Sequence, residues 1–353
     1  MWIDASPALA ATLALGLAGA LSMSDALAQP EGAVGAASYS GSDREQRLRQ
    51  GAANESQLTL YSALAVEDNA AVVSAFEKKH AIKVNLWRAG SEEVRDRVLA
   101  EASARRPRVD IVLDDYYSLQ ALHREQLLYP ASSPLLADLL PQAIPPHHEW
   151  VAAFFTVLGG AYNTQEVERA DLPSGYRDLL NSKPKGPIGI EAGDYTWFAA
   201  TCRALGEADC IDLFRSIGRR HGYSVRKGHT LLTNLVAAGE MPIALTVFRK
   251  AAVQLSRKGA TIDWFGLLPM VSQPGAVALA RAAPHANSAM LFYDFMIGEA
   301  QAILGSRQFI VTTRKMDAPV DRNAITIPDP DAALDEAKRW QQAFDATFRP
   351  GPR

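Results

Sequence analysis

LTLYSALAVEDNAAVVSAFEKKHAIKVNLWRAGSEEVRDRVLAEASARRPRVDIVLDD, residues 58–115, is the stretch that decides the fold. Its apolar runs at 58–61, 82–86 and 109–113 are typical of short buried strands. The two segments between these runs carry apolar residues at helical spacing. Strands that alternate with helices predict an α/β protein with a mostly parallel sheet covered on both faces.

The same alternation starts again after the apolar run 151–158. The pattern predicts strands at 187–190, 243–247 and 275–280, and helices at 194–205, 230–238, 287–296 and 331–348. Ligands of such sheets bind beyond the carboxyl ends of the strands. Two α/β units in one chain therefore predict two lobes whose strand ends face each other across a cleft.

Length and composition agree with this organisation. The 353 residues exceed one ordinary core and fit two lobes of about 100–150 residues each. Hydrophobic residues make up 48% of the chain and charged residues 21%, as in folded globular proteins. The formal net charge is -3 and no basic block is present, so nucleic acid is excluded as an expected partner.

The first 28 residues have the pattern of a secretory signal peptide. The apolar, uncharged run 8–21 is followed by Ala26-Leu27-Ala28, a small-residue cleavage signal. A membrane anchor is the alternative, but this run is shorter than the roughly 20 residues that span a bilayer. Asp4 and the lack of Lys or Arg in the opening do not fit a signal peptide. The sequence predicts export to the periplasm.

Residues 29–56 are rich in Gly, Ala, Ser, Gln and Glu and show no apolar periodicity, which predicts a flexible linker. Ordered structure is expected to begin at Gln57. The two cysteines, Cys202 and Cys210, are eight residues apart. In an oxidising compartment they could form a disulfide, and two free buried thiols are the alternative.

Several segments resemble the periplasmic solute-binding proteins of the ferric-iron-type cluster. Besides 58–115, they are AYNTQEV at 161–167, VAAGEMPIALTV at 236–247 and FYDFMIGEAQAILG at 292–305. The resemblance extends from 57 to 316. It implies a type II periplasmic-binding-protein fold, with two lobes joined by two crossover strands and a ligand cleft between the lobes.

The resemblance also implies a division of the chain and a role. The expected parts are lobe 1 at 57–155, lobe 2 at 156–273, a return to lobe 1 at 274–305 and a C-terminal helical segment at 306–353. The expected function is that of a monomeric substrate-binding component of an ABC-type uptake transporter, which delivers a small solute to an inner-membrane permease. A ferric-ion transport protein and a periplasmic sensor are the alternatives. No nucleophile, phosphate-loop, dinucleotide or zinc-protease motif is present, so no enzyme activity is expected.

Ferric members of this family bind iron with a histidine in the first loop, an acidic residue after the third strand and two adjacent tyrosines after a later strand. Here the first loop, 62–65, has no histidine, and the tyrosine positions read Phe248-Arg249-Lys250. Asp114 and Asp115 match the acidic position. Tyr116-Tyr117 lies in a different loop, where packing at a helix start is expected. The sequence therefore predicts neither a metal nor a cofactor.

The cleft is expected to hold an anionic or zwitterionic solute. Ser62, Ser91 and Thr230 stand where strands give way to helices, whose N-termini attract anions. The loop 191–197 is acidic and aromatic and suits a cationic group. The predicted ligand-binding residues are Ser62, Ser91, Asp114, Asp115, Asp194, Tyr195, Trp197, His229, Thr230, Thr246 and Arg249. The alternatives are that Ser91 and Asp194 only cap helices, and that Arg226, Lys227 and Lys250 are solvated.

Overall fold

The computed structural model describes residues 33–182 and 186–349. The helices are α1 Ala33–Ser38, α2 Arg44–Glu55, α3 Val66–His80, α4 Ser91–Ser103, α5 Tyr116–Arg124, α6 Tyr195–Leu205, α7 Glu207–His221, α8 His229–Ala237, α9 Arg249–Arg257, α10 Ala286–Ile297, α11 Ala300–Ser306, α12 Pro330–Asp335 and α13 Ala337–Phe348. The strands are β1 Gln57–Ser62, β2 Lys83–Arg88, β3 Ile111–Asp115, β4 Leu128–Tyr129, β5 Val151–Asn163, β6 Ile188–Glu191, β7 Tyr223–Arg226, β8 Ile243–Phe248, β9 Ile262–Phe265, β10 Met270–Ala280, β11 Ile310–Val311 and β12 Ile325–Thr326. Within the described ranges, no helix has both the length and the apolar character needed to cross a membrane.

One sheet runs through the whole molecule, in the order β2-β1-β3-β10-β5-β8-β6-β7. Strand β1 is parallel to β2 and β3, and β6 is parallel to β7 and β8. The two parallel groups, which we call the first and second halves of the sheet, are joined by the antiparallel strands β10 and β5. This is the predicted α/β architecture with two parallel units.

Strands β5 and β10 connect the two halves. They pair antiparallel, with Val271 opposite Leu158 and Val277 opposite Val151. The expected crossover segments, 154–158 and 275–280, lie within these strands. Each strand has one irregularity in its pairing: β10 shifts register against β5 at Gly275, and β5 shifts register against β8 at Gly159.

The hydrophobic core is divided in the same way as the sheet. A large cluster packs α3, α4, α5, α10 and α11 on the first half, and two smaller clusters pack α6 to α9 on the second half. The predicted single helix at 331–348 is two helices. α12 packs on α5 in the first half, whereas α13 packs on α6 and α7 in the second half. The helix is interrupted at Glu336 because the segments before and after this residue pack on different hydrophobic cores.

Residues 33–55 form two helices, so the prediction of a flexible linker there is wrong. Helix α2 buries Leu48 and Ala52 against α10. Arg44 forms an ion pair with Asp294 of α10, and Glu55 accepts hydrogen bonds from the start of α10. The sequence signal is weak because α2 has so few apolar residues, and its docking depends on polar contacts. The predicted signal peptide at 1–28 lies outside the described residues.

A disulfide joins Cys202 of α6 to Cys210 of α7, with their Cα atoms 5.0 Å apart. Sequence spacing alone left this pairing open. Both residues are fully buried beside Phe198 and Phe214. The disulfide therefore fixes the turn between two helices that form the core of the second half.

Candidate functional site

A cleft of about 350 Å³ lies between the two halves of the sheet, on the side where the parallel strands end. The first halves of four helices, the loop after β1, and strands β5 and β10 contribute to its wall. The polar residues that line it are Asp68, Ser91, Asp114, Asp115, Thr156, Thr230, Lys250, Gln254 and Gln273. Its larger apolar residues are Leu64, Leu113, Phe154, Phe248 and Phe309. The volume is at the small end of the range for small-molecule sites.

Four helices begin at this cleft. α3 follows Ala65, α4 begins at Ser91, α8 begins one residue before Thr230, and α9 begins one residue before Lys250. Backbone N–H groups in a first helical turn have no partner within the helix, and the helix dipole is positive there. The cleft therefore offers unpaired donors and positive potential from both halves of the sheet.

Ser91 lines the cleft as expected, but it does not cap α4. Gly90 occupies the N-cap position, and its N–H donates to Glu93 Oε2 over 3.2 Å. Ser91 is the first helical residue, so its hydroxyl is free of the capping role and faces the cleft. Thr230, also predicted, is exposed on the opposite wall.

Asp114 and Asp115 lie at the end of β3 and line the cleft. Asp115 caps α5, because its Oδ1 accepts the Ser118 N–H over 2.9 Å. Asp114 is only 4% exposed, and its Oδ1 accepts the Asp115 N–H over 2.7 Å. Asp114 Oδ2 is buried and has no hydrogen-bond partner among the described residues. Burial, and to a lesser extent the neighbouring Asp115 carboxylate, raise the pKa of Asp114 to about 7.

An ion-pair cluster connects the two halves across the cleft. Asp68 of α3, which is 1% exposed, pairs with Lys250 of α9 and with Arg307, which follows α11. The Lys250 ammonium also lies 3.9 Å from the centre of the Phe309 ring. Burial lowers the pKa of Lys250, and the hydrogen bond to Asp68 opposes this effect. The cation that faces the cleft is therefore already neutralised by a carboxylate of this chain.

Seven of the eleven predicted site residues do not line the cleft, and Ser62, Thr246 and Arg249 are three of them. Ser62 is fully buried, and its hydroxyl accepts the Leu64 N–H over 3.1 Å. Thr246 is also buried, and its hydroxyl accepts the Glu191 N–H over 2.8 Å. Arg249 is half-buried and is not a lining residue, because the turn into α9 directs the next residue, Lys250, towards the cleft. Lys250, rather than the predicted Arg249, is therefore the member of this pair that lines the cleft.

The predicted aromatic wall at 195–197 is not part of the cleft. Trp197 is fully buried in the core of the second half, and its indole N–H donates to the Tyr176 hydroxyl over 3.1 Å. The apolar face of α6 has to cover the sheet, and Trp197 belongs to that face together with Phe198. Tyr195 is half-buried on the same helix and does not line the cleft.

Asp194 and His229 form a cluster with Glu191 behind the cleft wall. Asp194 does not cap α6 with its side chain; its Oδ1 lies 3.4 Å from His229 Nε2. Burial raises the pKa of Asp194, and the nearby imidazole opposes this effect. Burial on its own lowers the pKa of an imidazole, but the Asp194 and Glu191 carboxylates raise the pKa of His229 to about 9. The ring of Phe248 packs on His229, with ring centres 4.1 Å apart, and separates the cluster from the cleft.

None of the described residues that line the cleft is a tyrosine, so this lining lacks the phenolate ligands of ferric sites. The stretch in which the resemblance to ferric members places their tyrosine pair reads Phe248-Arg249-Lys250 in this chain. Tyr116 is fully buried and donates its hydroxyl to the Pro328 carbonyl over 3.0 Å. Tyr117 packs against Tyr116 with ring centres 4.0 Å apart. Both tyrosines thus serve the packing of α5.

Comparison with known proteins identifies relatives of this chain. A family model described as bacterial extracellular solute-binding protein matches residues 61–303. The Fe(3+)-binding periplasmic protein of Serratia marcescens is 23% identical over 302 residues, which cover 80% of this chain and 86% of that protein.

Solved structures show the same fold. Iron-bound HitA from Pseudomonas aeruginosa superposes with a TM-score of 0.69 at 20% identity, over 82% of this chain and 99% of that chain. AfuA from Actinobacillus pleuropneumoniae, with exogenous fructose-6-phosphate bound, superposes with a TM-score of 0.67 at 20% identity, over 84% of this chain and 99% of that chain. The predicted periplasmic-binding-protein fold is confirmed. These two structures hold chemically different ligands, so the fold does not identify a solute.

Proposed function

The chain belongs to the bacterial extracellular solute-binding protein family, and on that premise we propose that it binds a small zwitterionic solute in its interlobe cleft. Its predicted role as the substrate-binding component of an ABC-type uptake transporter is confirmed by the family match and by the periplasmic relatives. The class of solute is the new element of this proposal. The observation that carries it is the buried, unpaired Asp114 Oδ2 in a cleft where four helices begin.

The helix N-termini would bind the anionic group of the solute. Free backbone N–H groups and the positive end of the dipole hold carboxylate and phosphate groups in many proteins. α3 and α4 begin on one wall, and α8 and α9 begin on the other. An anion between the walls gains interactions with both halves only when the cleft is closed. Such contacts favour the closed form, because a ligand shifts an equilibrium by its differential affinity for the two states.

The acidic pair provides for the cationic end. The Ser91 side chain interacts with the Asp114 carboxyl, but Asp114 Oδ2 is buried with no partner at hydrogen-bond distance among the described residues. A buried carboxylate oxygen without a full hydrogen bond costs free energy. An ammonium group of the solute would supply the missing donor and would stabilise the ionised carboxyl. Asp115 adds a second carboxylate beside it at the cleft.

A purely anionic solute fits this cleft less well. Its charged lining residues are three carboxylates and one cation, Lys250, and Lys250 is already paired with Asp68. The other expected cations, Arg226 and Lys227, are exposed and do not line the cleft. A solute with both an acid and an amine, such as an amino acid or an aminophosphonate, matches the helix N-termini and the aspartates together.

The remaining parts of the role are proposed with the solute. We place the protein in the periplasm, because its relatives are periplasmic, residues 1–28 have signal-peptide character and the Cys202–Cys210 disulfide suits an oxidising compartment. We propose that it acts as a monomer that docks on an inner-membrane permease and catalyses no reaction. The family consists of non-enzymatic transport components.

Ferric iron is the second candidate, and it rests on the relatives. The Serratia marcescens protein is a Fe(3+)-binding periplasmic protein, and HitA was solved with iron. In this chain, Asp114 and Asp115 are the available hard oxygen ligands at the cleft, and no tyrosine belongs to its described lining. An iron complex here would need ligands from the solution, such as a bound organic anion.

A thermal-shift screen of the chain from Gln29 onward tests the proposal. The panel contains amino acids, aminophosphonates, polyamines, inorganic phosphate, phosphosugars and ferric citrate. A solute at one hundred times its dissociation constant adds about 2.7 kcal/mol to the free energy of unfolding. We expect a raised melting temperature with a zwitterion and none with phosphate or ferric citrate.

Repeating the screen with the variant D114N shows whether a raised melting temperature depends on the Asp114 carboxylate. Asparagine keeps the shape and the Oδ1 acceptor but removes the charge that the solute amine needs. We expect D114N to lose the zwitterion response, and D171N, the same substitution at an exposed aspartate outside the cleft lining, to keep it. A shift with ferric citrate alone would replace this proposal by iron transport, and a shift with phosphate that D114N retains would replace it by anion transport.

A further inference from the structure

The cluster of Glu191, Asp194 and His229 has the geometry of a cation site. One ligand atom from each of the three residues lies within 4.8 Å of the others. Ligand atoms about 2.1 Å from a tetrahedral ion lie about 3.4 Å from one another. The distance between Asp194 Oδ1 and His229 Nε2 is 3.4 Å. The three side chains need little movement to enclose one ion.

The histidine is held in the orientation that a metal ligand requires. His229 Nδ1 lies 3.1 Å from the Thr246 carbonyl, which can only accept a hydrogen bond. The Nδ1 atom therefore carries a proton, and in the neutral imidazole the lone pair is on Nε2. Nε2 is the atom that faces Asp194. A backbone carbonyl on the far ring nitrogen is the usual support of metal-binding histidines.

Glu191 is oriented from two directions. Its Oε2 accepts the Gly193 N–H, and its Oε1 accepts the Gly228 N–H over 2.8 Å. Each carboxylate oxygen keeps a second lone pair. The two backbone donors come from the loops before α6 and α8, so Glu191 connects the two loops that also carry Asp194 and His229.

The buried carboxylate of Asp194 is a second, independent observation that points to a bound ligand. The residue is 2% exposed, and its Oδ2 has no hydrogen-bond partner among the described residues. Buried carboxylate oxygens are normally paired or bound to a metal. The side chains of His229 and Thr246 interact with this carboxylate and Glu191 lies near it, yet Asp194 Oδ2 has no partner at hydrogen-bond distance among the described residues.

We propose that Glu191, Asp194 and His229 bind one divalent transition cation, and that Zn²⁺ is the ion that fits their donors best. One imidazole nitrogen with two carboxylate oxygens is a donor set suited to Zn²⁺ rather than to Mg²⁺ or Ca²⁺, which prefer oxygen ligands throughout. The dication would displace the Nε2 proton of His229 to solvent, so that it balances the two carboxylates and binds a neutral imidazole. Water or a solute atom would complete the tetrahedron.

This site is distinct from the cleft. Phe248 packs on His229 and presents its other side to the cleft, and Thr230 is the next residue on α8. A cation held here would fix the loops from which α6 and α8 begin, and so would set the position of one cleft wall. The inference is independent of the zwitterionic solute, since it is tested with the metal alone.

The test is metal binding by untagged protein that has been stripped with a chelator and dialysed. We expect one equivalent of Zn²⁺ per chain by elemental analysis after equilibrium dialysis, and a raised melting temperature with ZnCl₂ but not with MgCl₂. Co²⁺ should give a visible d–d absorption band that Zn²⁺ abolishes. This spectroscopic signal uses the wild-type protein and therefore does not depend on whether a variant folds.

Variants assign the ion to the cluster. H229Q and D194N should each lower the Zn²⁺ affinity by roughly tenfold or more while leaving the circular dichroism spectrum unchanged. H147Q is the matched control, because His147 is another half-buried histidine in a cluster with His123 and Glu149. The proposal is overturned if the wild type holds no stoichiometric Zn²⁺ and shows no Co²⁺ band. It is also overturned if H147Q, rather than H229Q, abolishes binding.

Discussion

Replacing Asp114 by asparagine should stabilise the empty protein, and the gain should depend on pH. The pKa of Asp114 is about 7 in the native state and near 3.8 in an unfolded chain. Below pH 3.8 the carboxyl is protonated in both states, so its burial carries no charge penalty. Between pH 3.8 and about pH 7 the unfolded chain is ionised while the buried carboxyl stays protonated, so stability falls as the pH rises through this range and levels off above the native pKa. The difference between the two pKa values corresponds to roughly 4 kcal/mol, which is an upper bound.

The assay is urea unfolding of the wild type and D114N at pH 4.5 and pH 8, without solute. At pH 4.5 the two free energies of unfolding should differ by less than about 1 kcal/mol, and at pH 8 D114N should be more stable by about 2–4 kcal/mol. D115N should give a smaller gain, because the Asp115 charge is only the second cause of the high pKa of Asp114. An equal effect of D114N at both pH values would refute the argument that Asp114 is buried without a partner.

Three further predictions concern the frame of the cleft. Asp68→Asn removes the carboxylate partner of Lys250 and leaves Arg307 only its 3.6 Å contact with exposed Glu67, so it should cost about 3 kcal/mol in urea unfolding; an unchanged midpoint would mean that the cluster does not form. Gly275→Ala places a Cβ 2.0 Å from the ring of Phe154 and should lower stability by about 1–3 kcal/mol, seen as a lower melting temperature; full stability would show that the two strands pack less closely than described. Cys202→Ser removes a short disulfide loop and should cost about 2–3 kcal/mol more under oxidising conditions than when the wild type is reduced; a cost that does not change with reductant would indicate free thiols.

The order of strands and helices was predictable because each buried strand is a continuous apolar run. β1, β3 and β8 are almost wholly buried, and their residues leave little choice of structure. The errors came where polar contacts decide. α2 has few apolar residues and docks through Arg44 and Glu55, whose partners on α10 are more than two hundred residues away in the chain. No local sequence pattern predicts a polar contact between residues so far apart in the chain.

The site was predictable in its position but not in its side chains. Residues at the ends of strands, such as Asp114 and Thr230, do reach the cleft. Which of two neighbouring residues faces the cleft depends on the first turn of a helix, and this is why Lys250 lies there instead of Arg249. The same limit hid the cluster of Glu191, Asp194 and His229, because β8 has to bring the loops of α6 and α8 together before these side chains meet.

The continuous sheet determines how the cleft can open. The two halves are not linked by free chain, since β5 and β10 are paired to each other and to a strand of each half. Opening bends these two strands, and bending is easiest where the pairing is already irregular, at Gly275 between β10 and β5 and at Gly159 between β5 and β8. Gly275 itself lines the cleft. The backbone around Gly275 thus both bends when the cleft opens and lines the binding site. A solute bound against it should restrict this bending, and the release of the solute depends on the same bending.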